Sequence, residues 1–184
     1  MPLTLNTPPA TEPITLAEAK LHLKVDTADD DTLITRLIAA ARARAEWHTG
    51  RAFITQSWTL HLDAWPSGGV VELPLPPLQS VASIVTTARD DTTTTLDPSL
   101  YTVDTASARI ALNENTAPPT NLRAINAIAI AFTAGYGDAS TVPPDIKQAI
   151  LALTAQMYAN RGELADELPA QALALLAPYR VLKI

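Results

Sequence analysis

The sequence has no cysteine. Disulfides, thiolate metal sites and cysteine nucleophiles are therefore excluded, which fits synthesis in a reducing cytoplasm. Charge is also sparse, at 17% of residues, and the thirteen Lys and Arg are scattered without a basic block. A protein that grips nucleic acid by its phosphates needs clustered cations, so sequence-specific reading of DNA is discounted. No apolar run reaches the ~18 residues that would span a bilayer. The opening stretch, MPLTLNTPPATEP, lacks a basic segment followed by an apolar one, so no signal peptide is expected.

What is present is a globular composition. Apolar residues make up 47% of the 184 positions, and a chain of this length buries roughly two thirds of its unfolded surface without staples. The formal net charge is −6. The last fifteen residues depart from that balance: from Ala170 to Ile184 there are Arg180 and Lys183 and no acid.

Residues 1–13 carry four prolines and no periodicity, and read as an extended arm. Thr15-Leu16-Ala17-Glu18 is a capping box that starts a short helix to about Val25. A longer helix follows. Asp29, Asp30 and Asp31 stand at its positive end, one of them at the N-cap. Leu33, Ile34, Leu37, Ile38, Ala41 and Ala45 form its apolar stripe, and Gly50 ends it. From Ile54 to Gly137 the pattern alternates. TQSWTLHLDAW and VVELPLPPL read as strands, SVASIVTTARDDTTTT as a hairpin around Asp90-Asp91, and RIAL and AINAIAIAF as further strands. Helical periodicity then returns. Pro143 and Pro144 suit a first helical turn. Ile146, Ala149, Ile150, Leu153, Met157 and Tyr158 make the stripe, and Arg161 and Gly162 mark its end. A last helix runs from about Pro169 to near Pro178.

The expected fold is α+β: N- and C-terminal helices form one helical bundle with an inserted small antiparallel β domain. The expected parts are an arm at 1–13, bundle at 14–53, β insertion at 54–137, bundle again at 138–178 and a tail at 179–184.

The stretch FTAGYGDASTVPPDIKQ poses the main functional question. A glycine-rich loop before a helix can cradle a phosphate, but that needs converging backbone amides and a well-placed Lys or hydroxyl. Here Asp138 would repel the anion, and the prolines remove amides where they are needed. The favoured reading is a corner at which a strand turns into a helix. Other candidates are weaker. Glu18 and His22 stand i, i+4 on a helix, and His61 and Asp63 share a strand face, but each is a pair without a third metal ligand. His48 sits at a helix end beside Trp47. Arg89 to Thr95 lacks the ordered oxygens, glycine and glutamate of a calcium loop. Trp47, Trp58 and Trp65 read as core or interface anchors. No catalytic residue, cofactor or metal site is assigned. The remaining enzymatic reading is a small ligand-binding or hydrolytic module using His61 and Asp63.

The order of segments resembles the head–tail connector, or adaptor, proteins of long-tailed bacteriophages, prophages and phage-like gene transfer agents, in the longer variety with a β domain between helices. The resemblance runs from Ile14 to about Val181. It rests on ITLAEAKLHLKVD, ITQSWTLHLDAWP, ELPLPPLQSVASI, PPDIKQ, YANR and LLAPYR taken together. It implies a virion protein without chemistry, forming a ring, expected to be dodecameric, under the portal. That ring joins the DNA-filled head to the tail and extends the DNA channel. Its implied partners are other copies of itself, the portal protein and a tail-side stopper or terminator protein. DNA would pass through the lumen without sequence-specific binding. A head- or tail-completion protein of the stopper type is the neighbouring alternative. The apolar, mildly basic tail supplies the expected portal-docking residues: Tyr179, Arg180, Val181, Leu182 and Ile184. The arm from Pro2 to Pro13 and the tail after Pro178 are expected to be loose until docked.

Overall fold

The computed structural model describes residues 2–160 and 168–181. It contains both antiparallel sheets and helices, meeting the α+β expectation. Two compact units divide the chain: Met1–Pro9 with Thr55–Gly135, and Ala10–Ile54 with Tyr136–Ile184.

The first unit is the β unit. Its strands are β1 (Leu3–Thr7), β2 (Gln56–Leu62), β3 (Val70–Glu72), β4 (Leu78–Thr87), β5 (Thr93–Thr95), β6 (Tyr101–Asp104), β7 (Arg109–Leu112) and β8 (Ile128–Ala134). One sheet has the order β1-β2-β8-β4-β5 and the other β3-β7-β6. All pairings are antiparallel. Register brings Leu60, Ile130 and Ile84 side by side across three strands, and all three are buried. Period-two alternation produces this row, since only one face of each strand meets the core. The hairpin at Asp90-Asp91 is present. Asp90 Oδ1 accepts from the Thr92 N–H at 3.1 Å, and Asp91 takes a left-handed φ of 62°.

β1 corrects the expectation of a loose arm. Leu3 pairs with Leu60, Thr4 with Thr59 and Leu5 with Trp58. Asn6 Nδ2 adds a 2.8 Å bond to Thr59 Oγ1. The prolines at 2, 8 and 9 flank this strand and leave its interior amides free to pair. The rest of the arm belongs to the second unit, where Pro13 and Ile14 are buried and Glu12 binds Arg42 at 2.7 Å.

The second unit is helical: α1 (Leu16–Leu23), α2 (Asp31–Thr49), α3 (Pro144–Ala159) and α4 (Ala170–Leu176). The capping box forms in full: Thr15 Oγ1 accepts from the Glu18 N–H at 3.1 Å while Glu18 Oε2 accepts from the Thr15 N–H at 2.6 Å. Gly50 closes α2 with φ 69°, donating its N–H to Glu46 O. Pro144 starts α3, as the missing N–H permits. Ile34, Leu37, Ile38, Ala41, Ala45, Ile146, Ile150, Leu153 and Leu176 interlock as the core. Each large side chain among them contributes about 1.5–3 kcal/mol by leaving water, and Leu153→Ala would cost about 2–5 kcal/mol.

Two details differ from the sequence reading. Leu33 is 39% exposed, because it lies off the stripe that faces α3. Asp30 occupies the N-cap position without a side-chain cap bond; its Oδ2 instead accepts from Tyr158 Oη at 2.6 Å. The helix end expected at Arg161 and Gly162 lies outside the described residues, as do the tail residues Leu182 and Ile184.

Candidate docking surface

The described part of the tail is tied down. The Val181 N–H donates to Thr49 O at 2.8 Å, and Arg51 Nε donates to Tyr179 O at 2.5 Å. Tyr179 Oη reaches Asp145 Oδ2 at 3.4 Å. Residues 179–181 therefore run along the C-terminal end of α2, which corrects the expectation of a tail that is loose from Pro178. The physical reason is that the last turn of a helix leaves carbonyls without intrahelical partners, and the tail supplies an N–H to one of them.

Gly50 makes this approach possible. Its φ of 69° reverses the chain after α2, and a Cβ there would sit 3.5 Å from Val181 Cβ. That is ordinary contact, so the backbone conformation and not lack of space calls for glycine. Glu46 braces the same turn: Oε1 accepts from the Phe53 N–H at 2.7 Å and Oε2 accepts from Arg42 Nη1 at 2.5 Å. Burial opposes the charge on Arg42, but the bond to Glu12 and the charges of Glu46 and Glu12 outweigh it and hold the guanidinium pKa above its usual value.

Two residues that the sequence reading did not assign to docking stand out here. Trp47, on the last turn of α2, is 87% exposed. Arg51 anchors the tail and also bonds the Tyr136 phenol. Exposure of a tryptophan and a contact spanning 128 residues leave no local mark in a sequence. Of the predicted docking residues, Arg180 is exposed, while Tyr179 and Val181 are half-buried. Burial of the His48 imidazole, with the nearby Arg180 charge, lowers its pKa. The last turn of α2 and the tail thus expose an indole, Trp47, and a cation, Arg180.

The other candidate residues are engaged structurally. Asp63 Oδ1 accepts from the Asn126 N–H at 2.8 Å. His61 sits half-buried in β2 opposite Ala129, and among the described residues no hydrogen bond joins it to Asp63. Glu18 is committed to the capping box, and its bonds from Thr15 hold the carboxyl below its usual pKa. The glycine corner uses up its own amides. Tyr136 N–H donates to Phe53 O, Ser140 N–H to Asp138 Oδ1, and Thr141 N–H to Asp138 O. Gly135 and Gly137 take φ values of 122° and 130°, which make the turn. Among the described residues no cluster of three His, Cys, Asp or Glu has the placement to hold a metal.

The family model for the phage gp6-like head-tail connector protein matches residues 13–172. The chain belongs to this family. The match ends before Tyr179, so the tail's role rests on the chain's own residues. Among solved structures, the chain is similar to one from the neck of an empty gene transfer agent particle, computed with C6 symmetry. The TM-score is 0.84 at 28% identity, covering 100% of this chain and 97% of that one. A chain from the virion of a native gene transfer agent particle matches with TM-score 0.83 and 26% identity, covering 100% and 97%. A third, from the neck of the native particle computed with C12 symmetry, matches with TM-score 0.78 and 28% identity, covering 98% and 97%. No match was found among the curated proteins. The chain is thus a structural connector between head and tail, similar over its whole length to chains of a particle neck.

Proposed function

We propose that twelve copies of this chain form a ring beneath the portal, extending the DNA channel and offering a platform to a stopper or terminator protein on the tail side. The observation that carries this reading is whole-length likeness to neck structures of sixfold and twelvefold symmetry, joined to membership of the connector family. A ring of this kind closes head-to-tail, so each copy must offer two different patches.

The portal contact is assigned to the tail: Tyr179, Arg180, Val181, Leu182 and Ile184. The bonds from the Val181 N–H to Thr49 O and from Arg51 Nε to Tyr179 O hold the segment at the end of α2, which leaves the exposed Arg180, and the exposed Trp47 on the last turn of α2, to face the partner. A partner groove that is apolar with some acid would complement this surface. The formal charge of −6 per chain gives a ring of twelve about −72. Phosphate is repelled by such a ring, so DNA slides through without being held.

The test is binding of purified portal by the full chain against Arg180→Glu and a truncation lacking residues 182–184. Both variants should keep the wild-type melting temperature and lose portal binding. Undiminished binding by both would place the portal contact elsewhere.

A further inference from the structure

The five-stranded sheet has β1 at one edge and β5 at the other. Pairing fixes which backbone groups each edge presents. The His61 N–H donates to Pro2 O at 3.0 Å. Bonded pairs alternate in an antiparallel ladder, so Thr4 and Thr59 form the next bonded pair. The N–H and C=O groups of Leu3 and Leu5 therefore point away from β2. At the other edge the Ala88 N–H donates to Thr92 O, and the Leu96 N–H donates to Ile84 O. Thr94 and Thr86 are then the bonded pair between them, and Thr93 and Thr95 point away from β4. Among the described residues no other hydrogen bond takes up these outward groups.

Both edges are bare in composition as well. Leu3–Thr7 and Thr93–Thr95 contain no charge and no proline, and all of these residues except Leu3 are exposed. Sheets in isolated proteins usually block such edges with charge, proline or covering elements. A bulge follows Leu5, but the stretch from Leu3 to Leu5 is regular. The shortness of β5 keeps the edge too weak to recruit strands at random, so it pairs only with a neighbour already held alongside.

The two edges also fit each other. Five strands joined only by antiparallel pairings make β1 and β5 run the same way. Rotation about one axis preserves that sense, so β5 of one copy meets β1 of the next in parallel. A parallel ladder places a residue with outward groups opposite one with inward groups, as Leu3 opposite Thr94 does. Leu3 lies on the face that carries Leu60, Ile84 and Ile130. Thr94, aligned with Thr86, Ile128 and Leu62, is on the same face.

We infer that β1 of one copy adds to β5 of the next, with Leu3 opposite Thr94, so that the sheet runs on from copy to copy around the ring. The ladder is Leu3 N–H to Thr93 O, Thr95 N–H to Leu3 O, and Leu5 N–H to Thr95 O. This rests on the ring proposed above and names one of its two complementary patches on each copy.

The absence of native cysteine allows a direct test. The register places Thr4 opposite Thr95, about 4.8 Å apart across paired strands, within the ~4.4–6.8 Å that a disulfide bridges. Particles are purified from a strain making only the Thr4→Cys/Thr95→Cys chain, mildly oxidised and run on a non-reducing gel. The expected result is a ladder of dimers, trimers and higher multiples, absent from either single variant. Ring density at the neck without the ladder would overturn the pairing and leave the ring standing. Joined particles with no ring of this chain at the neck would overturn both. Adding Leu5→Pro removes one outward N–H and no bond within the sheet. The isolated chain should melt as before, and the ladder should be lost. A ladder that survives this change would also overturn the pairing.

Discussion

Arg51 offers the sharpest test of how the tail is held. Its Nε donates to Tyr179 O at 2.5 Å, and the next contact along the chain is the 2.8 Å bond from the Val181 N–H to Thr49 O. In Arg51→Ala the first bond is gone, and the second must hold the tail with only the longer 3.4 Å contact of Tyr179 Oη to Asp145 Oδ2 beside it. A hydrogen bond from a charged donor is worth about 1.5–3 kcal/mol. Arg51 is half-buried, so the lower part of that range applies, about 1.5–2 kcal/mol. Since ~1.4 kcal/mol is a factor of ten, local opening of the tail should rise about ten- to thirtyfold. Amide hydrogen exchange at Val181 reads this opening directly, because exchange there proceeds through local detachment. Protection of the core amides of Ile150 and Leu153 should stay unchanged, which separates detachment from global unfolding. Arg51→Lys, which keeps the charge but loses the planar donor, should fall between. Unchanged protection of Val181 in Arg51→Ala would refute the anchoring argument.

Three further outcomes are expected. Gly137→Ala forces a φ of 130° on a residue with a side chain and sets its Cβ 2.7 Å from Thr141 Oγ1. It should lower stability by about 1–3 kcal/mol in thermal melts, while Gly68→Ala, with nothing within 4 Å, should be neutral. Burial and the Arg180 charge depress the His48 pKa, so the unfolded chain takes up a proton near pH 6.5 that the folded chain resists. Stability from this source is full above that pH and falls as pH drops through it. His48→Gln should flatten the melting-temperature slope between about pH 7.5 and 5.5, and an unchanged slope would count against the assignment. Asp63→Ala should cost about 0.5–1.5 kcal/mol through the lost bond to the Asn126 N–H. Neither it nor His61→Ala should change the fraction of joined particles; a collapse in that fraction at normal stability would revive the ligand-binding reading.

What could be read from the sequence was mostly local. The capping box at Thr15 and Glu18, the closing Gly50 and the Pro144 start are set by neighbours within four residues, and all formed. The corner at Gly135 and Gly137 followed from the same kind of reasoning about amides and φ. What was misread depended on distant partners. The five residues of β1 look like a proline-flanked arm until β2, more than fifty residues on, supplies their hydrogen bonds. Asp30 stands at the N-cap as expected, but Tyr158, 128 residues away, claims the carboxylate that would otherwise cap the helix. Leu33 fits a helical stripe by spacing, yet it lies beyond the angle that α3 covers. Of the proposed docking surface, the tail's composition marked Arg180 and the sequence left Trp47 as either a core or an interface anchor; its exposure and the Arg51 anchor emerge only from the folded arrangement.

The most direct test of the connector account is electron microscopy of particles from a strain lacking this gene. The account predicts DNA-filled heads and separate tails, with joining restored by the intact gene supplied in trans. Normally joined particles in the deletion strain would contradict it.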